Sequence, residues 1–339
     1  MSLAIALSIV VSFAATLVLI RPAMRSLRKT GILGVDQQKP DKPRIPSSGG
    51  VAVIAGILAG VFFFIGLDTF IFQTEANLEI LLAAAFSILI TTLVGFFDDL
   101  VIDSASRKDK GMDEYRLGLR QWQKPLLIIP AAIPLMAVSA GTSTVWLPFI
   151  GEINFGILYP LLLVPIGVLC VTNATNMLAG MNGLEAGLGL VTTASLGLYS
   201  LYLGRVEAAA ISLTAAAALL VFLFWNWHPA RILPGDSLTY LIGGAIISAV
   251  VIGNIEKFGI IVFALWIAEA LLKLRSGFKA RSLGDLQPDG KLKAPYKRVY
   301  SLTHVVMKAH AFTERQASLI LILTQAIICL FAFWFVLSF

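Results

Sequence analysis

Three short polar stretches interrupt an otherwise apolar chain, and each carries side chains able to bind phosphate or a hard cation. The first, VGFFDDL, sets Asp98 beside Asp99. Adjacent carboxylates repel, and each raises the proton affinity of the other unless a cation, a proton or a basic partner is near. The second, VTNATNMLAGMNGLEAG, places Asn173, Asn176 and Asn182 at the end of a long apolar run. Asn173 and Asn176 are three apart and share a face if the helix continues that far, with Asn182 and Gly183 on the loop beyond. An Asn side chain supplies both a neutral carbonyl oxygen and an amide donor, and glycines let a ligand approach the backbone. The third stretch, PGDSL, holds Asp236 just before another apolar run, where it is either a plain helix N-cap or a ligand. The Asp98–Asp99 pair taken alone would also suit, less well, a solvated helix end. Together, Asp98, Asp99, Asn176 and Asp236 make an oxygen set suited to Mg²⁺, which binds one or two carboxylates together with substrate phosphates. Lys124, Lys279 and Arg281 could neutralise phosphate charge nearby.

The elements that position these groups are membrane helices. With 58% hydrophobic and 14% charged residues and a mean hydropathy of +0.85, the chain is expected to be an all-α polytopic membrane protein, residues 1–339 forming one domain. Spanning the hydrocarbon core takes about 20 residues of helix. Apolar runs of that order lie at 2–20, 49–67, 80–97, 125–141, 157–178, 185–204, 208–226, 237–254, 258–274 and 317–339, which predicts about ten transmembrane helices. Alternating the loops across the membrane puts every Lys and Arg except Arg205 and Lys257 on one face. By the positive-inside rule that face is cytoplasmic and both termini are outside. The first run is no signal peptide, since its positive charges follow it. The net charge of +6 is thus a topology signal, with no nucleic-acid partner indicated. Cys170 and Cys329 both fall in apolar runs without metal or disulfide spacing, and the three histidines form no cluster. VWLPFIGEINF predicts a short outer hairpin, DLQPDGKLK a turn at Asp289 and Gly290, and residues 299–312 an amphipathic helix on the inner membrane surface.

Five segments also carry a resemblance: GVDQQKPDKPRIPSSGG, GFFDD, NATNMLAGMNGLEAG, NWHPARILPGDSLTYLIGG and APYKRVYSLTHVVMK. In this order, from about Gly34 to Lys308, the chain resembles the polyprenyl-phosphate N-acetylhexosamine-1-phosphate transferases. Within them it is most similar to the archaeal and eukaryotic UDP-GlcNAc:dolichyl-phosphate GlcNAc-1-phosphate transferases. The resemblance implies ten helices, a cytoplasmic active site, dependence on Mg²⁺ (or Mn²⁺) and a homodimer. It also implies the reaction: a polyprenyl or dolichyl phosphate in the bilayer attacks the β-phosphorus of UDP-GlcNAc, releasing UMP. By matching position, Asn176 and Asp236 hold the metal, and Asp98, Asp99 and Asn173 lie at the reacting phosphates. Lys124 binds the acceptor phosphate, with Lys108 and Lys110 as alternatives. Asn182 sits by the uracil, with Gly183 and Leu184 among the substrate-binding residues, and Lys279 and Arg281 match a basic sugar-diphosphate loop.

The chain departs from that pattern in places. The stretch between Asp99 and Lys124 is long, Ser47 stands where the eukaryotic enzymes carry a glutamate, and Leu233 where an aromatic often flanks the uracil. Ala179-Gly180 replaces the Asp-Gly of the bacterial muramoyl-pentapeptide enzymes, and the last inner loop has only His304 and His310. Both features favour a GlcNAc donor and, with the low cysteine use, an archaeal plasma membrane. A ten-span transporter is the competing class, but transporters place ionisable groups near the bilayer midplane, where this chain has almost none. Glu269 is the main exception and lies near an inner end. No DGxxAR signature of CDP-alcohol phosphotransferases is present.

Overall fold

The computed structural model describes residues 2–73, 76–100, 123–147 and 151–338. Helix dominates because the long apolar runs can satisfy their backbone hydrogen bonds only within themselves once water is excluded. Eight helical segments are long and apolar enough to cross a membrane. They are α1 (Ser2–Lys29), α2 (Gly50–Leu67, extended by a π turn to Phe72), α3 (Leu78–Leu100), α6 (Val164–Met177, preceded by a π turn from Tyr159), α7 (Leu184–Tyr202), α8 (Val206–Asn226), α9 (Gly235–Gly253) and α13 (Glu314–Ser338).

The other two expected spans are interrupted. The run at 125–141 forms α4 (Gln123–Ile128), a 3₁₀ turn and α5 (Ile133–Ala137), because Pro130 and Pro134 each remove a main-chain donor. The run at 258–274 is divided at Phe263 into α10 (Glu256–Val262) and α11 (Ala264–Leu274). Three antiparallel hairpins complete the described chain: β1 (Leu33–Val35) with β2 (Arg44–Pro46), β3 (Thr144–Leu147) with β4 (Gly151–Asn154), and β5 (Asp285–Leu286) with β6 (Leu292–Lys293). The expected surface helix is α12 (Leu302–Ala309), capped by the Ser301 side chain.

Helix α9 is the centre of the bundle, with every residue from Ser237 to Gly253 buried. It packs on α3, α6, α8, α7 and α2. Close approach at its N-terminal end depends on glycine, since a Cβ at Gly95 of α3 would lie 2.3 Å from the Asp236 carbonyl oxygen. The outer faces of α1 and α13 stay apolar and exposed, as at Val18, Ile327 and Leu330, which is the surface expected against lipid. Helix α1 ends, and α13 begins, at the end of the bundle that holds the N-terminus of α9, so Ser2 and Ser338 lie toward the opposite end.

Candidate active site

The site is built around the first turn of α9. Gly235, with φ +66°, takes the left-handed conformation that a side chain would strain, and a Cβ there would lie 2.3 Å from Asp99. Asp99 of α3 occupies that space. Its Oδ1 accepts the Asp236 main-chain N–H at 2.9 Å, and its Oδ2 accepts the Ser237 N–H at 3.2 Å and the Ser48 hydroxyl at 2.7 Å. A carboxylate at a helix N-terminus meets unpaired N–H donors and the positive end of the helix dipole. Asp99 therefore acts here as the cap of α9. The N-cap position itself is Pro234, and Asp236 is within the first turn.

Asp98 turns the other way. Its Oδ2 accepts from the Lys124 ammonium at 2.6 Å, and the same ammonium donates to Asp236 Oδ2 at 2.8 Å. Asn176 Nδ2 donates to that Asp236 oxygen at 3.2 Å, and Thr239 donates to Asn176 Oδ1 at 3.1 Å, which fixes which end of the amide faces the carboxylate. The three charged side chains are from 5% to 25% exposed, enough to meet a ligand and too little for water to screen them fully.

Lys124, Asn176, Asp236 and Thr239 line a cavity of about 1060 Å³, with Asp98 behind Lys124 and outside the lining; the cavity is large enough for a sizeable polar ligand. Its wall changes character along its length. Asp36, Asn176, Asn182, Glu185 and Asp236 line a polar part, whereas Leu169, Cys170, Phe263, Trp266, Ile267 and Leu271 line an apolar part between α6 and α11. Lys124 and Pro125 also border the cavity.

The other expected residues fall into distinct places. Asn173 borders the cavity and donates through Nδ2 to Leu169 O in its own helix at 2.7 Å. Asn182 borders it too, but its Oδ1 accepts the Ala230 N–H at 3.0 Å and its own N–H goes to Glu314 at 2.7 Å. Gly183, φ +78°, donates its N–H to Asn226 Oδ1 at 3.0 Å and stands behind the wall. Leu184 points into the apolar core at the start of α7, fully buried. Arg281 borders the cavity and faces Asp285 at 3.9 Å, while Lys279 is exposed and does not line it. Lys108 and Lys110 lie outside the described residues.

Sequence reasoning named Glu269 without giving it a role and missed Glu314 and Lys39, the other groups that brace this wall. Glu314, buried at the start of α13, accepts from Lys39 and from the Asn182 N–H, and Lys39 also pairs with Asp36 at 3.2 Å. Glu269 is fully buried, accepts from Ser301 at 3.1 Å and the Leu302 N–H at 2.7 Å, and lies 3.8 Å from Lys273, which holds the Ala280 carbonyl at 2.6 Å. That network ties α11, residues 275–282 and α12 together. An acidic residue inside an apolar run was the signal for Glu269; Glu314 gave none, since an acidic residue in a first helical turn is commonplace.

A divalent cation suits the donor chemistry. Asp98 and Asp236 offer carboxylate oxygens, and the Lys124 ammonium already sits between them as a cation; Asn176 turns its amide nitrogen to Asp236, so its carbonyl would join the set only with the amide reversed. Among the described residues no three His, Cys, Asp or Glu side chains converge. Mg²⁺ accepts such a partial set, because it completes its shell with water and substrate phosphates.

The family model described as glycosyl transferase family 4 matches residues 81–254, which include Asp98, Asp99, Lys124, the asparagine segment and Asp236. Similar curated proteins include one from Saccharolobus solfataricus, provisionally named UDP-N-acetylglucosamine–dolichyl-phosphate N-acetylglucosaminephosphotransferase. It is 35% identical over 332 residues, 97% of this chain and 96% of the relative. The Dictyostelium discoideum protein of the same name is 26% identical over 88% of this chain and 80% of its own. A phospho-N-acetylmuramoyl-pentapeptide-transferase of Clostridium perfringens is 29% identical over 68% of each chain.

Proposed function

The chain belongs to glycosyl transferase family 4, and from that premise we propose that it transfers GlcNAc 1-phosphate from UDP-GlcNAc to a polyprenyl phosphate of dolichyl type. An oxygen of the lipid phosphate bonds to the β-phosphorus of the donor, the bond to the bridging oxygen breaks, and UMP departs, leaving lipid-linked GlcNAc pyrophosphate as a first membrane intermediate of glycan assembly. The observation that carries this reading is the Asp98–Lys124–Asp236–Asn176 cluster, of which Lys124, Asp236 and Asn176 line a cavity with both a polar and an apolar wall. A nucleotide diphosphate suits the polar part and an isoprenoid the apolar one. The full-length relatives named for GlcNAc transfer favour that donor over a muramoyl peptide.

Phosphoryl transfer depends chiefly on alignment and on offsetting charge. Asn176, Asp236 and Asp98 would hold Mg²⁺ or Mn²⁺, which when bound offsets charge on the diphosphate. Lys124 orients the acceptor phosphate, Asn182 presents its Nδ2 to the nucleotide, and Arg281 meets the sugar-phosphate side. Asp99 keeps Asp236 in place. A phosphate monoester has its second pKa at about 6, so at neutral pH the acceptor is already mostly a dianion. Asp98 then acts by electrostatic positioning more than as a base.

The basic residues within 21–44 and 275–308 flank the site end of the bundle, and Arg205 and Lys257 the other, which supports a site that faces the cytoplasm; placement in the plasma membrane is part of the same reading. Association as a homodimer is part of the same reading and is checked by mass measurement in detergent.

The test is UMP release by purified protein with UDP-GlcNAc, dolichyl phosphate and Mg²⁺, with EDTA and Asp236→Ala as controls. Release with a lipid-linked product, lost in both controls, supports the transferase and its metal. Release only with another UDP-N-acetylhexosamine keeps the chemistry and changes the donor. Silence with every donor and lipid phosphate overturns the reading.

A further inference from the structure

The position of Lys124 bears on how the metal and the acceptor phosphate share one cluster. Its ammonium lies 2.6 Å from Asp98 and 2.8 Å from Asp236, so it bridges oxygens from two helices, α3 and α9, that would otherwise repel. Asn176 donates through Nδ2 to the same Asp236 oxygen that Lys124 contacts. In this arrangement an ammonium and an amide both donate to that one oxygen.

We propose that Lys124 is a resident counter-cation that exchanges with the divalent metal: its ammonium holds the Asp98–Asp236 pair closed when metal is absent, and metal entry releases it toward the acceptor phosphate. This rests on the proposed transferase reading for the metal and the phosphate. Charge balance gives the exchange its direction. One ammonium cannot balance this carboxylate pair once both members are ionised. A divalent ion neutralises both, which removes the attraction holding Lys124 and leaves a cation available for a phosphate dianion. The side chain can make the move because it is long, flexible and a point charge, with an ammonium needing no fixed fork geometry. Its rest position also keeps two carboxylates from pushing α3 and α9 apart where Gly95 brings these helices into close contact. Lys124 and a metal at this pair are therefore competitors, and a lysine that assists turnover should weaken metal binding.

The exchange is tested by binding, without turnover. Mn²⁺ alone is titrated into wild type, Lys124→Met and Lys124→Arg, with bound Mn²⁺ read by electron paramagnetic resonance and folding checked by thermal denaturation. A charge within hydrogen-bonding range shifts a carboxylate's proton affinity by about 1–3 logarithmic units, so removing it should tighten Mn²⁺ binding on the order of tenfold or more. Lys124→Met is expected to bind Mn²⁺ more tightly than wild type, and Lys124→Arg to stay near wild type. Asp98→Asn in the Lys124→Met background is expected to abolish the gain, which places it at this pair. Equal or weaker Mn²⁺ affinity in a folded Lys124→Met protein, or no Mn²⁺ binding to any of the proteins, overturns the proposal. If the Mn²⁺ difference appears while every transfer assay is silent, the exchange stands and the transferase reading falls. Transfer by wild type with no Mn²⁺ difference gives the reverse.

Discussion

Asp99 accepts the main-chain N–H of Asp236 at 2.9 Å, so one carboxylate of α3 sets the conformation from which the other, Asp98, meets Asp236 across Lys124. Two neighbours in sequence thus have separate tasks. Asp99 fixes a helix end, and Asp98 faces the cavity cluster.

Substitution should separate them. Asp99→Ala is expected to destabilise the protein by about 2 kcal/mol or more, since it strands buried N–H donors at the start of α9. Gly235→Ala should act in the same direction, because its Cβ would collide with Asp99. Asp98→Asn should leave thermal stability close to wild type and lower turnover on the order of 10²-fold, as for loss of one electrostatic contact. Thermal denaturation and UMP release on the same samples check the division; equal stability losses at both aspartates would contradict it.

The pH profile of transfer gives a second expectation for Asp98. If the lipid phosphate ionises unaided, the acidic limb reflects its second pKa at about 6. Asp98→Asn should then lower the whole profile and keep its shape. Loss of the acidic limb in the variant would make Asp98 an obligatory base.

The apolar part of the cavity exposes Cys170, whereas Cys329 is buried in the bundle. A small methanethiosulfonate reagent should therefore modify one thiol in detergent, at Cys170. Polyprenyl phosphate should slow that modification, and UMP should not. Equal rates with and without the lipid would place the isoprenoid elsewhere. Mass spectrometry of the labelled peptide reads the result.

Glu314 and Lys39 brace Asn182 from outside the catalytic cluster. Glu314→Gln should raise the KM for the nucleotide sugar more than that for the lipid, because the loop it holds borders the polar part of the cavity. Lys39→Met should do the same, and the double variant should be non-additive in stability by about 0.5–3 kcal/mol, as for residues in direct contact. Additive effects would mean that the pair does not act as a unit.

His304 is fully buried in α12, and its burial, then the Lys273 ammonium and, more weakly, Lys308, push its pKa down from 6.5 to about 4. It is neutral in the folded protein near neutral pH. Between pH 6.5 and about 4 the unfolded chain binds a proton that the folded chain does not, so stability falls as pH is lowered through that window. Above pH 6.5 this contribution is constant. His304→Gln should lose less stability than wild type over the same window in denaturation series, and parallel losses would remove the histidine from the explanation.

Much of this architecture was legible in the chain. Long apolar runs have one way to satisfy their backbone in a bilayer, so eight of the expected spans are continuous helices at nearly the expected places. Prolines 130 and 134 were visible too, yet hydropathy averages over a window and does not register a missing donor, so the broken segment read as a span. The three polar ends were found because oxygen-bearing side chains stand out against an apolar background. Their convergence was inferred from chemistry and family resemblance.

The amino-acid sequence by itself determined the membrane class, the helices and the residue types able to handle a phosphate. Local composition and periodicity suffice for those, because each depends on neighbours within a turn or a span. Only the tertiary structure decided which member of an adjacent pair does what. Asp98 and Asp99 are chemically identical in sequence, and successive positions on a helix point about 100° apart. One met the N–H donors of α9 and the other an ammonium 26 positions along the chain. The same holds for Glu314, which reaches Asn182 across 132 positions. A hydrogen bond is decided by angstroms between atoms, and those distances exist only once the helices have packed.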